Sequence, residues 1–153
     1  MIEIIFTYRP KSFKPISWVN QITRGKIKAP FDHAMALSKE KVYESVVKKG
    51  VHKMQFNEWI DGREGTYLFR YQLPANHVDF NVFDKLEGTG YDWKANIWFL
   101  LGLEENLKNN PNELIFCTEL LALMLHLEDA HTYTPKKLEA YLRIRYTVKI
   151  DNL

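Results

Sequence analysis

The chain has 153 residues, enough for one domain with a proper core, and one is expected rather than two. Hydrophobic residues make up 46% and charged residues 26%, the balance of a soluble globular fold rather than a disordered or fibrous one. A formal net charge of +2 is too small to argue for nucleic acid or an anionic membrane as partner, and a single cysteine excludes an internal disulfide.

Residues 2–8 read as a strand, with Ile2, Ile4, Ile5, Phe6 and Tyr8 little interrupted by polar groups. Glu3 inside this short run, with no basic stretch before it, argues against a signal peptide. The longest apolar run, Ile97 to Leu101, is far too short to cross a bilayer. The expectation is a cytoplasmic protein with one domain over residues 1–153. Residues 10–15 form a loop, 16–23 a short helix ended by Gly25, and 26–30 a basic exposed stretch. Two short strands follow within 33–47, joined by a tight turn at Lys39-Glu40 that lacks an Asn-Gly or Asp-Gly signal. Lys48-Lys49-Gly50 closes the second, 51–56 continues extended, and 57–65 is a loop or a single turn. Residues 66–73 alternate as a further strand. Pro74 opens a helical region with Val78, Val82, Phe83 and Leu86 on one side, ended by Gly88 and Gly90. Residues 91–101 read as a helix and 103–107 as a short piece, after which Asn109, Asn110, Pro111 and Asn112 break the chain.

From Cys117 the apolar positions 117, 120, 121, 124 and 125 follow helical spacing, giving a helix to about Leu127 buried on one face. Thr134-Pro135 caps a last helix, and 146–150 forms an edge strand. Strands and helices do not alternate regularly, so the fold class is α+β, with an antiparallel sheet packed against helices that include the cysteine helix.

Cys117 lies in a first helical turn, where free N–H groups favour an anion. A lone cysteine in an apolar stretch is more often a small buried hydrophobe, and the rest of the chain has to decide between the two. The candidate base is His33 and the group to orient it Glu44. With an even-length turn, strand pairs sum to 79, so Ser38 faces Lys41 and Met35 faces Glu44. His33 and Glu44 then share a face one diagonal apart, roughly 5–8 Å between Cβ atoms. That face also carries Met35, Leu37, Val42 and Val46, and is expected to pack against the stripe of the cysteine helix. Asp92 and Glu119 are rival carboxylates, the latter equally a first-turn helix stabiliser. His52, His77, His126 and His131 show no ligand spacing, so no metal site is expected.

His33-Ala34-Met35-Ala36-Leu37, Val42-Tyr43-Glu44-Ser45 with Gly50-Val51, Gly90-Tyr91-Asp92 and Phe116-Cys117-Thr118-Glu119-Leu120 occur in that order. Together with Thr134-Pro135 they resemble the circularly permuted NlpC-type branch of the papain-like cysteine peptidases, the YiiX-like group. Thr118 stands where that group more often has serine, and its Pro-Gly-Asp start and export signal are missing. The resemblance implies a permuted papain-like fold and a Cys117-His33-Glu44 triad. The triad would cleave an amide bond in a peptide, an amino-acid conjugate or a cell-wall fragment through a thioacyl-enzyme, with no cofactor. Tyr8 or Tyr91 would add a phenolic donor for the oxyanion. Two other functions stay open. One is a lipid acyl hydrolase or acyltransferase on the same triad, for which Trp18, Trp59, Trp93 and Trp98 could line a greasy groove, although core packing explains tryptophans equally well. The other is a non-catalytic binding module that retains the fold.

Overall fold

A computed structural model of the protein describes residues 1–8, 31, 33–92, 94 and 114–153. Their strands are β1 (Ile2–Tyr8), β2 (His33–Ser38), β3 (Lys41–Val46), β4 (Gly50–Gln55), β5 (Tyr67–Leu73) and β6 (Val148–Asn152). They form one six-stranded sheet in the order β4-β3-β2-β1-β5-β6, every neighbouring pair antiparallel. The helices are α1 (Phe56–Ile60), α2 (Phe80–Leu86), α3 (Cys117–Met124) and α4 (Pro135–Arg145). The α+β class and the antiparallel sheet are therefore as the sequence implied. The expected pieces at 10–15, 16–23, 26–30 and 103–107, and the expected helix at 91–101 apart from residues 91, 92 and 94, lie outside the described residues. Among the described residues no helix is long and apolar enough to cross a membrane.

β1 is paired on both sides and buried on both faces, which is why its sequence is nearly all apolar. Ile2, Ile4 and Phe6 enter one cluster with Leu120, Leu121 and Met124 of α3 and Leu138 and Leu142 of α4. Ile5 enters a second cluster with Met35, Val42, Leu68 and Trp59 of α1. The sheet thus has a helix-covered face and a smaller core beneath α1.

The β2–β3 connection has two residues, and pairs Ala36 with Tyr43, Leu37 with Val42 and Ser38 with Lys41, the register that sums to 79. Lys39 and Glu40 both take left-handed backbone, with φ of 47° and 63°. Glycine or asparagine usually fills such positions, so these two residues gave no sign of the turn type. The cysteine helix does not pack on the His33/Glu44 face, contrary to the sequence expectation. It packs on the other face of β2, where Ala34 and Ala36 share a cluster with Leu120, Leu121 and Met124. Alanines leave room for a helix to approach the sheet closely, whereas Met35 and Val42 already fill the face under Trp59.

α3 is also buried more widely than on one stripe. Thr118, Glu119 and Ala122 are buried along with Cys117, Leu120, Leu121 and Met124. The turn at Ala130–Thr132 packs on it, and the Thr118 hydroxyl donates to the Tyr133 carbonyl. The helix stops at Met124, short of the expected Leu127. His126 takes a φ of 53°, its N–H donates to the Leu123 carbonyl, and the Leu127 N–H donates to the Ala122 carbonyl. That pattern closes a helix, and it is normally announced by glycine. At α4 the sequence signal was clear: Pro135 opens the helix and the Thr134 hydroxyl accepts from the Lys137 N–H at 3.1 Å.

Candidate active site

Two neighbours on β3 hold the two halves of the site. On the face beneath α1, the Glu44 carboxylate is 2% exposed and its Oε2 accepts from His33 Nε2 at 2.7 Å and Trp59 Nε1 at 3.0 Å. On the helix-covered face, the Ser45 hydroxyl donates to the Ile115 carbonyl at 2.6 Å, two residues before Cys117. Alternation along the strand makes this possible: adjacent residues reach opposite sides of the sheet.

A strut completes the support of the cysteine. The Val51 N–H donates to Thr89 O and the Gly88 N–H to Val51 O, both at 2.8 Å, and the Ile115 N–H donates to Gly90 O at 2.9 Å. Gly50 is needed for this approach. Its φ is +66°, and a Cβ there would meet the Thr89 carbonyl oxygen at 2.0 Å. Phe116 is the N-cap of α3 and Cys117 its first residue.

His33 begins β2, at the rim of the sheet, with its ring hydrogen-bonded to Glu44 and close enough to Cys117 for the thiol to act on it. With Nε2 committed to Glu44, Nδ1 is the nitrogen left for the thiol. Thus a helix on one face and a carboxylate on the other meet through one ring at the strand's end. Burial pulls the imidazole's pKa down. The hydrogen bonds to Cys117 and Glu44 and the charges of both groups outweigh burial and push it up to about 10. Burial raises the Glu44 carboxyl, but the His33 hydrogen bond and charge, the Trp59 N–H and the His52 charge bring it below the usual carboxylate range.

The other expected site residues are placed differently. Tyr8 ends β1 and its ring lies 6.0 Å from that of Tyr67 on β5, while Tyr91 is half-buried next to the Gly90–Leu114 bridge. Their oxyanion role rests on the resemblance alone. Trp59 does not line a groove: it is 1% exposed in the core beneath the sheet and serves Glu44. Trp18, Trp93 and Trp98 lie outside the described residues. Three supporting residues went unsingled in the sequence reading: Ser45, Trp59 as a donor to Glu44, and His52, whose Nε2 is 3.4 Å from Glu44 Oε1. The β3–β4 register, Glu44 opposite His52, was the signal that would have found the last.

The rival carboxylates lie together. Glu119 is the third residue of α3 and accepts from the Phe116 N–H, the reciprocal half of a capping box. Burial raises its pKa, the Phe116 N–H opposes, and the Asp92 charge adds to the rise, leaving it at about 7. The folded protein therefore keeps a proton that the unfolded chain releases above 4.5. The stability from this proton is fully present below 4.5 and is lost as pH rises through about 7. Glu119→Gln, which mimics the protonated acid, is expected to match the native protein near pH 5 and to be more stable at pH 8 by roughly 1–3 kcal/mol in urea unfolding. Equal stability at pH 8 would show that Glu119 ionises in the fold without cost.

Among the described residues no group of three or more His, Cys, Asp or Glu side chains is arranged to hold a metal ion. No protein-family model matches the chain, and no curated protein matches its sequence.

Proposed function

We propose that the protein is a cysteine hydrolase of permuted papain-like fold that cleaves an amide bond in a peptide, an amino-acid conjugate or a cell-wall fragment. The observation that carries this reading is the convergence of Cys117, His33 and Glu44: the His33 ring is hydrogen-bonded to the buried Glu44 at 2.7 Å and close enough to Cys117 for the thiol to raise its pKa. A buried structural cysteine needs no imidazole, and a buried structural histidine needs no thiol. An imidazolium held against the sulfur stabilises negative charge there, and the first turn of α3 adds the field of its free N–H groups.

The steps follow from these positions. The Cys117 thiolate attacks the carbonyl carbon, and the oxyanion is met by the Cys117 N–H, which as the first of α3 has no acceptor within the helix. The C–N bond breaks as His33 gives its proton to the leaving amine, and the acyl group stays on sulfur as a thioester. His33 then takes a proton from water, the hydroxide attacks the thioester, and the carboxylic acid leaves with the thiolate restored. Glu44 fixes the ring by holding the Nε2 proton, which leaves Nδ1 for the sulfur, and steadies the imidazolium in both half-reactions.

The test is to incubate the protein with a peptide-amide probe and with an acyl-lipid probe and to map adducts by mass spectrometry. An acyl group from the amide probe on Cys117 is the expected result. Acylation by the lipid probe alone would move the activity to lipid acyl groups on the same triad. If neither probe acylates Cys117, and iodoacetamide labels it no faster than a free model thiol near neutral pH, the hydrolase reading fails and a binding module remains.

A further inference from the structure

We propose that His52 is a positioning residue for the triad, and that proton uptake on its ring divides the Glu44 carboxylate between two histidines and weakens the Cys117–His33 pair. The inference rests on the hydrolase reading above and adds to it a second imidazole that touches neither the sulfur nor the substrate.

Glu44 and His52 are direct partners across β3 and β4, so the ring lies over the carboxylate. Its Nδ1 is 3.2 Å from the Gly50 carbonyl, which can only accept, so Nδ1 carries a proton. Its Nε2 stands 3.4 Å from Glu44 Oε1, an ion-pair distance without hydrogen-bond geometry. In the neutral ring that nitrogen presents a lone pair to a carboxylate. In the doubly protonated ring Nδ1 still donates to Gly50, and Nε2 carries positive charge within ion-pair distance of Glu44.

The surroundings transmit the charge. Glu44 is 2% exposed and His52 16%, so little water screens them. Among the described residues the titratable groups facing His52 are Glu44 from β3 and, behind it, His33 from β2. α1 contributes the neutral Trp59 N–H, its Glu58 being exposed, and Lys53 on β4 turns to the other face, toward Glu87. The segment 88–90 that approaches Gly50 carries no charge. Oε2 already accepts two hydrogen bonds, so Oε1 is the carboxylate's remaining handle, and His52 stands over it. With His52 neutral, the Glu44 charge supports the His33 imidazolium alone. With His52 cationic, the carboxylate is shared, and a second positive charge disfavours the imidazolium that the thiolate needs.

The experiment measures the iodoacetamide alkylation rate of Cys117 from pH 4.5 to 8 in the native protein and in His52→Gln, whose amide can still donate to Glu44. Native reactivity is expected to fall on the acid side. The variant is expected to retain roughly 3–10-fold more of its own pH 7.5 rate at pH 5 than the native protein does, as one charge removed at this separation implies. A readout that needs no variant at position 52 is the His52 ring Cε1–H resonance, whose midpoint is expected to coincide with the acid limb of native Cys117 reactivity. A reactive Cys117 with superimposed profiles, or a His52 midpoint away from the acid limb, overturns the role of His52 and leaves the hydrolase reading standing. A Cys117 no more reactive than a free thiol at any pH overturns both.

Discussion

Cys117→Ala is expected to remove turnover altogether, and His33→Ala to lower it by about 10²–10⁴-fold, the usual contribution of a positioned general base. The two losses have different causes, and a second measurement separates them. Without Cys117 there is no sulfur to acylate. Without His33 the sulfur remains, but the donor that protonates the leaving amine and the cation that favours the thiolate are both gone. Iodoacetamide labelling of His33→Ala is therefore expected to drop toward that of a free thiol. Circular dichroism should stay native in both variants. Cys117 is 7% exposed at a helix start already held by Ser45 and Gly90, so trimming one sulfur atom leaves those supports intact. Undiminished turnover in Cys117→Ala would refute the nucleophile assignment, and undiminished turnover in His33→Ala would refute the base.

The part of this site that the sequence made legible was the part fixed by local geometry. A two-residue turn sets the pairing of β2 with β3, and a period of two then puts His33 and Glu44 on one face whatever the rest of the chain does. The side on which α3 packs was not legible in the same way. Both faces of β2 are apolar, Ala34 and Ala36 on one and Met35 on the other, so hydrophobicity alone does not choose between them. What chooses is size: a helix lies close over alanines, while methionine and valine meet the indole of Trp59. The end of α3 was misplaced for a related reason. His126 adopts a backbone conformation that its side chain does not advertise, and the apolar spacing runs on past it to Leu127. Ser45 and His52 went unnoticed because their roles exist only once β3 has neighbours: a carbonyl seventy residues later in one case, the facing strand in the other.

Glu44 is where stability and chemistry meet most directly, and Glu44→Ala is expected to be the most destabilising of these substitutions, by about 3–5 kcal/mol, the range for breaking a buried ion pair from one side. The carboxylate takes hydrogen bonds from His33 and Trp59 and lies within ion-pair distance of His52. Removing it leaves an indole N–H and an imidazole in a small core with a void between them. Glu44→Gln keeps the volume and one acceptor oxygen, so it is expected to fold better and to lower turnover less than His33→Ala. Its cost falls on the imidazolium, which loses its counter-charge. The sign of the pH dependence follows from the lowered Glu44 pKa. The folded protein holds this carboxylate ionised where the unfolded chain begins to protonate it, so its contribution is present above about 4.5 and is lost as pH falls through the folded value. Urea unfolding is therefore expected to show the gap between native protein and Glu44→Ala widest near pH 7 and narrowing in acid. A gap that stays constant with pH would mean that packing, not charge, is what Glu44 supplies beneath the sheet. The thiolate–imidazolium pair would then have to draw its support from the first turn of α3 alone.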